Sequence, residues 1–142
     1  MNPPAFLDWQ TANQRYLAAA LASVQEALRQ YVAQSTESHQ TDTKAFELLQ
    51  GDLEAAAAAL PAPSALETLC NAFGLTAFER DLLLFCAGLE LDSGFVSLCR
   101  AVQGETPHPA ATFSLALAAL PDVHWGAILP ESPLRYWRML EV

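Results

Sequence analysis

Three histidines and the carboxylate pair Glu90 and Asp92 are candidates to bind a metal or move protons. His39, His108 and His124 fall in a polar loop, in a proline turn and at the start of a short helix, far apart in the sequence. None has a second histidine at the i, i+4 spacing with which one helix face binds zinc. Glu90 and Asp92 flank a predicted helix end, where carboxylates usually stay solvated or cap the next helix. We therefore predict no catalytic and no metal-binding residue.

Motifs that hold phosphate groups are missing as well. The one lysine, Lys44, follows a threonine rather than a glycine, so no G-x-x-x-x-G-K-[ST] loop can be written. Neither G-x-G-x-x-G nor G-x-S-x-G occurs. Trp125 and Trp137 could line a ligand site, but such side chains more often anchor a core or an interface. We expect a chain that is not an enzyme and that binds no cofactor.

The cysteines and the termini indicate a cytoplasmic protein. Cys70, Cys86 and Cys99 lack C-x-x-C spacing, and each lies in an apolar helical run, where cysteine acts as a small buried hydrophobe. The N-terminus lacks the charged and apolar regions of a signal peptide. The apolar run Ala110–Leu120 is too short to span a bilayer.

The charge balance excludes some classes of partner. Seven basic and sixteen acidic residues give a net charge of −9, and the basic residues form no cluster. Phosphate backbones and anionic membrane surfaces attract clustered lysine and arginine, so we expect neither nucleic acid nor membrane as a partner. Charged residues make up 16% of the chain, below the roughly 25% usual for soluble domains. This surface, poor in charge, favours contact with other proteins.

Residues 1–60 predict a helical hairpin. Along a first helix from about Phe6 to Gln34, apolar residues recur at steps of four and three: Leu17, Leu21, Val24, Leu28 and Tyr31. A polar loop separates it from a second helix, about Lys44 to Leu60, which Pro61 stops. The apolar stripe most simply packs on the second helix. An oligomeric coiled coil is the alternative.

Residues 61–142 predict a series of short helices with clear ends. Ser64–Glu67 is a capping box whose helix ends at Gly74, and Thr76–Glu79 is a second capping box. The second box opens a strongly apolar helix that contains Leu83 and Phe85. Because this helix is apolar nearly all round, we expect it to form the buried centre of the domain.

The C-terminal part predicts two more helices and a strand. The helices cover Gly94–Val102, which Ser93 or Asp92 caps, and Ala110–Leu120, and a short turn with His124 and Trp125 follows. Leu134–Val142 is rich in aromatic and β-preferring residues, which is typical of a strand. A lone strand leaves backbone groups unpaired. We therefore expect the chain to be cut from a longer protein, and this strand to fray or to pair with another copy in self-association.

The second half also resembles a known family. Leu69–Leu84 is similar to the stretch L-x-x-x-F-G-L-[ST]-x-F-E-R-D-[LV]-L-L that precedes the ATPase module in a group of bacterial AAA+ ATPases. Thr112–Leu120 and Pro133–Val142 resemble the next two signatures of that family. The resemblance covers Leu66 to Val142, about half of the chain, and implies a variant winged-helix domain. Several members of the family are encoded with phage-tail-like contractile injection systems.

The resemblance implies a role outside the motor itself. The family's phosphate-binding loop, acidic metal-coordinating motif and arginine finger have no counterpart here, so ATP and magnesium would bind an ATPase module that lies C-terminal to this chain. A winged helix also suggests DNA binding. However, the two candidate reading helices, Gly94–Val102 and Ala110–Leu120, contain Arg100 as their single charged residue, and base edges are read mainly by Arg, Lys, Asn and Gln.

The sequence thus predicts a mainly α fold with a helical hairpin over 1–60 and a winged-helix-like unit over 61–142, truncated at its C-terminal end and closed by a β-strand. The predicted function is protein–protein contact by the non-catalytic N-terminal domain of an AAA+ ATPase, which recruits a target or positions the motor. A free-standing helical adaptor is the first alternative. A transcription-regulator fragment is the second, and the net charge of −9 disfavours it.

We expect the isolated chain to bind no nucleotide, because no phosphate-binding loop is present. Isothermal titration of the protein with ATP and magnesium should give only heats of dilution. A parallel titration with magnesium alone separates metal binding from nucleotide binding. Micromolar affinity for ATP would contradict this prediction.

Overall fold

The computed structural model describes residues 3–35, 43–104 and 108–142, and it describes no side chains for residues 3–7 and 43. Within these ranges the chain is mainly helical. The helices are α1 (Pro3–Ser35), α2 (Thr43–Ala58), α3 (Ala65–Phe73), α4 (Ala77–Leu91), α5 (Ser93–Gln103), α6 (Phe113–Ala119) and, after a 3-10 turn at Trp125–Ile128, α7 (Pro133–Tyr136).

The long helix α1 connects the two halves of the chain. Its 33 residues span about 50 Å at 1.5 Å per residue, and it packs against α2 and also against α4, α5 and α6. Val24 and Leu28, from the predicted apolar stripe, are buried in the same cluster as Phe78 and Phe85 of α4. The stripe therefore covers the helices of the second half as well as α2, and both halves share one core.

Polar side chains of α1 also hold the start of α3. The Asn13 side chain accepts a hydrogen bond from the Ala65 backbone N–H at 2.8 Å, and the Trp9 indole donates to the Pro63 carbonyl at 3.1 Å. The first N–H groups of a helix have no partner inside the helix. Asn13 supplies one for Ala65, so the chain turns into α3 directly against α1.

The structure confirms the helix ends that were predicted for the second half. Ser64 accepts from the Glu67 N–H, which is one half of the predicted capping box, and Gly74 ends α3 in the left-handed region with φ +65°. Thr76 and Glu79 form the complete capping box of α4. Asp92 accepts from the Gly94 N–H and caps α5.

Helix α4 is the buried centre of the fold. Phe78, Leu82, Leu84 and Phe85 are buried, whereas Leu83 is only partly buried and packs at the edge of the core. A β-carbon added at Gly88 would lie 2.6 Å from the Phe95 ring. Position 88 therefore has to be glycine for α5 to approach α4 this closely.

The terminal strand predicted at Leu134–Val142 is wrong. Pro133 opens the helical turn α7, since its fixed φ suits a first helical position. The backbone N–H groups of Met139 and Leu140 then return to the Leu134 carbonyl at 2.8 and 3.2 Å. Leu134 is fully buried, so local hydrogen bonds and burial replace the expected sheet. No strand occurs in the described residues, so these residues contain no unpaired strand that could pair with another copy.

Within the described ranges, no single helix is long and apolar enough to cross a membrane. Only α4 and α5 together reach the required length and composition, and the two are bent by 106°.

Phe85→Ala should lower the free energy of unfolding by about 3–5 kcal/mol, because the ring of this α4 residue is fully buried in the core that α4 shares with α1. Leu83→Ala should cost less, since Leu83 is only partly buried. Urea denaturation followed by circular dichroism measures both, with Ser114→Ala on the exposed face of α6 as the control. A midpoint for Phe85→Ala equal to that of the control would contradict the central position of α4.

Candidate protein-contact site

The residues that could have carried chemistry are dispersed in the structure. Glu90 and Asp92 are exposed, and Asp92 serves as the cap of α5. His108 is exposed on a loop, His39 lies outside the described residues, and His124 is held against α4. In the described part of the chain no three His, Cys, Asp or Glu side chains come together as a metal-binding group.

The three cysteines lie in or beside the core. Cys99 is buried, and Cys70 and Cys86 are partly buried. Burial raises the pKa of each thiol above its ordinary value, and for Cys70 the Arg80 charge opposes that effect. Thiols are nucleophiles and metal ligands only as thiolates. These side chains therefore act as small hydrophobic groups.

The capping box of α4 extends to a residue far away in the sequence. The buried Glu79 accepts from the Thr76 N–H and hydroxyl through Oε1, both at 3.1 Å. His124 Nε2 lies 2.8 Å from the Thr76 hydroxyl and 3.7 Å from Glu79 Oε1. The His124 ring also meets the Phe78 ring edge to face at 5.7 Å. These contacts tie the segment that follows α6 to the first turn of α4.

Two buried acidic residues lie in the first turns of α4. Glu79 Oε2 is buried and has no hydrogen-bond partner among the described residues. Asp81 is buried too, and Arg80 Nη2 lies 3.4 Å from its Oδ1. Burial raises the pKa of Asp81, the Arg80 charge opposes this, and the charge of Asp122 adds to it.

Residues 121–132, which we call the Trp125 turn, contact the rest of the domain through the side of the turn that faces the core. Ala127 is fully buried, and its carbonyl accepts from the Ser132 hydroxyl at 2.9 Å. The Arg135 guanidinium donates to the Ile128 carbonyl at 2.5 Å. Asp122 enters the turn with φ +55°, a left-handed conformation that Asp tolerates better than most residues.

Large apolar side chains remain exposed on the outer side of this turn. The Trp125 side chain is 72% exposed, Leu129 49% and Val123 38%. A second aromatic cluster lies at the end of α7, where the ring of the exposed Trp137 meets Phe73 of α3 at 5.5 Å and the exposed Tyr136 at 5.0 Å. The sequence singled out Trp125 and Trp137 as anchors, but it placed Tyr136 and Trp137 in a strand and gave no sign that Trp125 faces outward.

The candidate reading helices offer little to a DNA groove. The 106° bend between α4 and α5 lies within the range of helix-turn-helix pairs, but their connection at Asp92 is shorter than usual. Helix α6 exposes Ser114 and Ala118 and contains no charged residue, and on α5 Arg100 is exposed. Base-edge recognition through α6 therefore lacks the side chains it needs.

Asp81→Asn should stabilise the protein at pH 7. Because the folded state raises the pKa of Asp81, the folded protein holds this proton more tightly than the unfolded chain does. The ionised carboxylate thus lowers the stability of the protein at neutral pH. This loss of stability is complete above the raised pKa of the folded state, and it disappears as the pH falls from that pKa to below the pKa of the unfolded state, which is near 4.

The difference in unfolding free energy between Asp81→Asn and wild type should therefore be largest at pH 7 and shrink toward pH 4. Urea titrations at several pH values measure it, and Asp52→Asn on the exposed face of α2 is the matched control. A stability loss at pH 7 for Asp81→Asn would show that the buried charge is favourable after all.

Comparison with known proteins gives one match. A family model described as a variant winged helix domain matches residues 10–122, which run from the first turns of α1 past the end of α6. Comparison with curated proteins and with solved structures returned no match. The winged-helix expectation is confirmed. The matched range includes most of the helical hairpin and residues 61–122 of the second half, and it ends before Trp125 and α7. The chain belongs to the variant winged helix domain family.

Proposed function

We propose that this winged helix domain works through protein–protein contact and has no catalytic or DNA-reading role. In finer terms, it is the non-catalytic N-terminal domain of a cytoplasmic AAA+ ATPase of the kind associated with contractile injection systems. It recruits a target or positions the motor. The observation that carries the proposal is the character of the exposed surface, which combines large aromatic side chains with an uncharged α6.

The exposed side chains are of the types that dominate protein interfaces. Trp125, Tyr136 and Trp137 are exposed in the C-terminal quarter of the chain, and tryptophan and tyrosine are enriched among the residues that carry most of the binding free energy. They lie on backbone that hydrogen bonds hold in place, so little ordering is needed on binding. Such a surface favours a partner protein over bulk water.

The electrostatics disfavour a nucleic acid. With a net charge of −9 the chain repels a phosphate backbone at long range. Of the basic residues in the second half, Arg80 is near Asp81 and Arg135 donates to a backbone carbonyl. Arg100 and Arg138 are exposed, which is too little positive charge for the counterion release that drives DNA binding.

The link to an AAA+ motor is supported by the resemblance of Leu69–Leu84 and the two later signatures. In such a protein ATP and magnesium would bind the module C-terminal to this domain. A free-standing helical adaptor would have the same surface but no motor. The reading frame after Val142 distinguishes the two, because a glycine-rich loop ending in Gly-Lys-Thr or Gly-Lys-Ser identifies the motor.

We expect no duplex DNA binding at physiological salt, since α6 offers no base-reading side chain and the net charge opposes contact with phosphates. Mobility-shift titrations up to low micromolar protein measure this. A second series at about 0.01 M salt, where the Debye length is about 30 Å, makes the test stringent. A shift at low micromolar protein that weakens steeply with added salt would overturn the proposal.

A further inference from the structure

We propose that the Trp125 turn is a docking site for a cationic segment of a partner protein that also bears apolar side chains, such as an amphipathic helix with lysine or arginine beside leucine. This inference rests on the proposed function and adds to it the surface used and the chemistry of the partner.

The apolar part of the site lies within residues 123–129. Val123, Trp125 and Leu129 are all exposed there, and Trp125 is the most exposed of the three. Between them, the fully buried Ala127 fixes the turn to the core. The His124 contact with Thr76 and the Ser132 bond to the Ala127 carbonyl hold its two ends. These contacts hold the backbone that carries Trp125 in place, so less entropy is lost when a partner binds.

The charges around the turn select a cationic partner. Asp122 and Glu131 are exposed at its two ends. Glu79 is buried next to the turn, with its Oε1 3.7 Å from His124 Nε2. Arg80 lies against the buried Asp81 and offsets its charge. Arg135 keeps its positive charge at the Ile128 carbonyl, so one arginine stands against the carboxylates of Glu79, Asp122 and Glu131, and acidic groups remain in excess.

An exposed indole on a turn that has an exposed carboxylate at each end suits a lysine or arginine side chain in two ways. The ring face attracts the cation, and the carboxylates pair with it. A second copy of this chain is a poor occupant, because each copy has a net charge of −9 and a symmetric contact would place the Asp122 and Glu131 carboxylates of both copies in one interface. Charge complementarity therefore favours a different, basic protein.

The test uses the full chain and a fluorescein-labelled 18-residue amphipathic peptide of leucine and lysine, with fluorescence anisotropy as the measurement. Wild type should bind it, and binding should weaken with added salt. Trp125→Ala should weaken binding at least about tenfold, in the range of hot-spot losses. Leu48→Ala is the matched control, since Leu48 is an apolar side chain on α2 that is 70% exposed, and it should bind like wild type.

Two further variants test the electrostatic part. Glu131→Gln and Asp122→Asn should each weaken binding a few-fold and flatten its salt dependence. Asn accepts the left-handed backbone of position 122, so Asp122→Asn leaves the turn intact. Two control peptides separate charge from apolar contact: a leucine–glutamate peptide should not bind, and a lysine–serine peptide should bind more weakly than the leucine–lysine one.

The inference would be overturned if wild type did not bind the leucine–lysine peptide, or if Trp125→Ala bound it as tightly as wild type does. It would also be overturned if wild type bound the leucine–glutamate peptide as tightly as the leucine–lysine peptide. A dimer in sedimentation velocity that Trp125→Ala abolishes would identify a second copy as the occupant instead. If the peptide tests fail while duplex DNA still does not bind, only this inference is lost. Duplex DNA binding in the same samples would instead contradict the proposed function.

Discussion

Packing of α4 beneath α1 is the contact on which the rest of the structure depends. Phe78 and Phe85 of α4 are buried with Val24 and Leu28 of α1, and α1 continues from there to contact α2, α5 and α6. The first turn of α4 then places Thr76 and Glu79 where His124 reaches them. The position of the Trp125 turn thus follows from the burial of α4, and so does the surface through which we propose that the domain acts.

The sequence predicted those features of the fold that depend on local chemistry. The caps at Ser64, Thr76 and Asp92 and the glycine stop at Gly74 were correct, because each involves a side chain or backbone conformation within three residues of the helix end. The terminal strand was wrong, because β-propensity reports fit to a half-buried surface and depends on context. Burial of Leu134 and the helical start at Pro133 outweighed it.

The candidate site was less predictable than the fold. Glu79 and Asp81 were visible in the sequence as part of a family-like motif, but their burial and the approach of His124 require tertiary structure. Trp125 was visible as an anchor, yet no periodicity distinguishes an exposed tryptophan on a 3-10 turn from a buried one. An interface of this kind depends on which side of a short turn faces the core, and here Ala127 takes the inner side.

The most direct measurement is hydrogen exchange with mass spectrometry on the full chain, with and without the leucine–lysine peptide. Exchange reports local opening of backbone hydrogen bonds, so a docked segment slows it where it binds. The expected result is new protection confined to residues 121–132 and the adjoining first turn of α4. Protection on α2 or α6 with residues 121–132 unchanged would contradict the assignment of the Trp125 turn as the contact site.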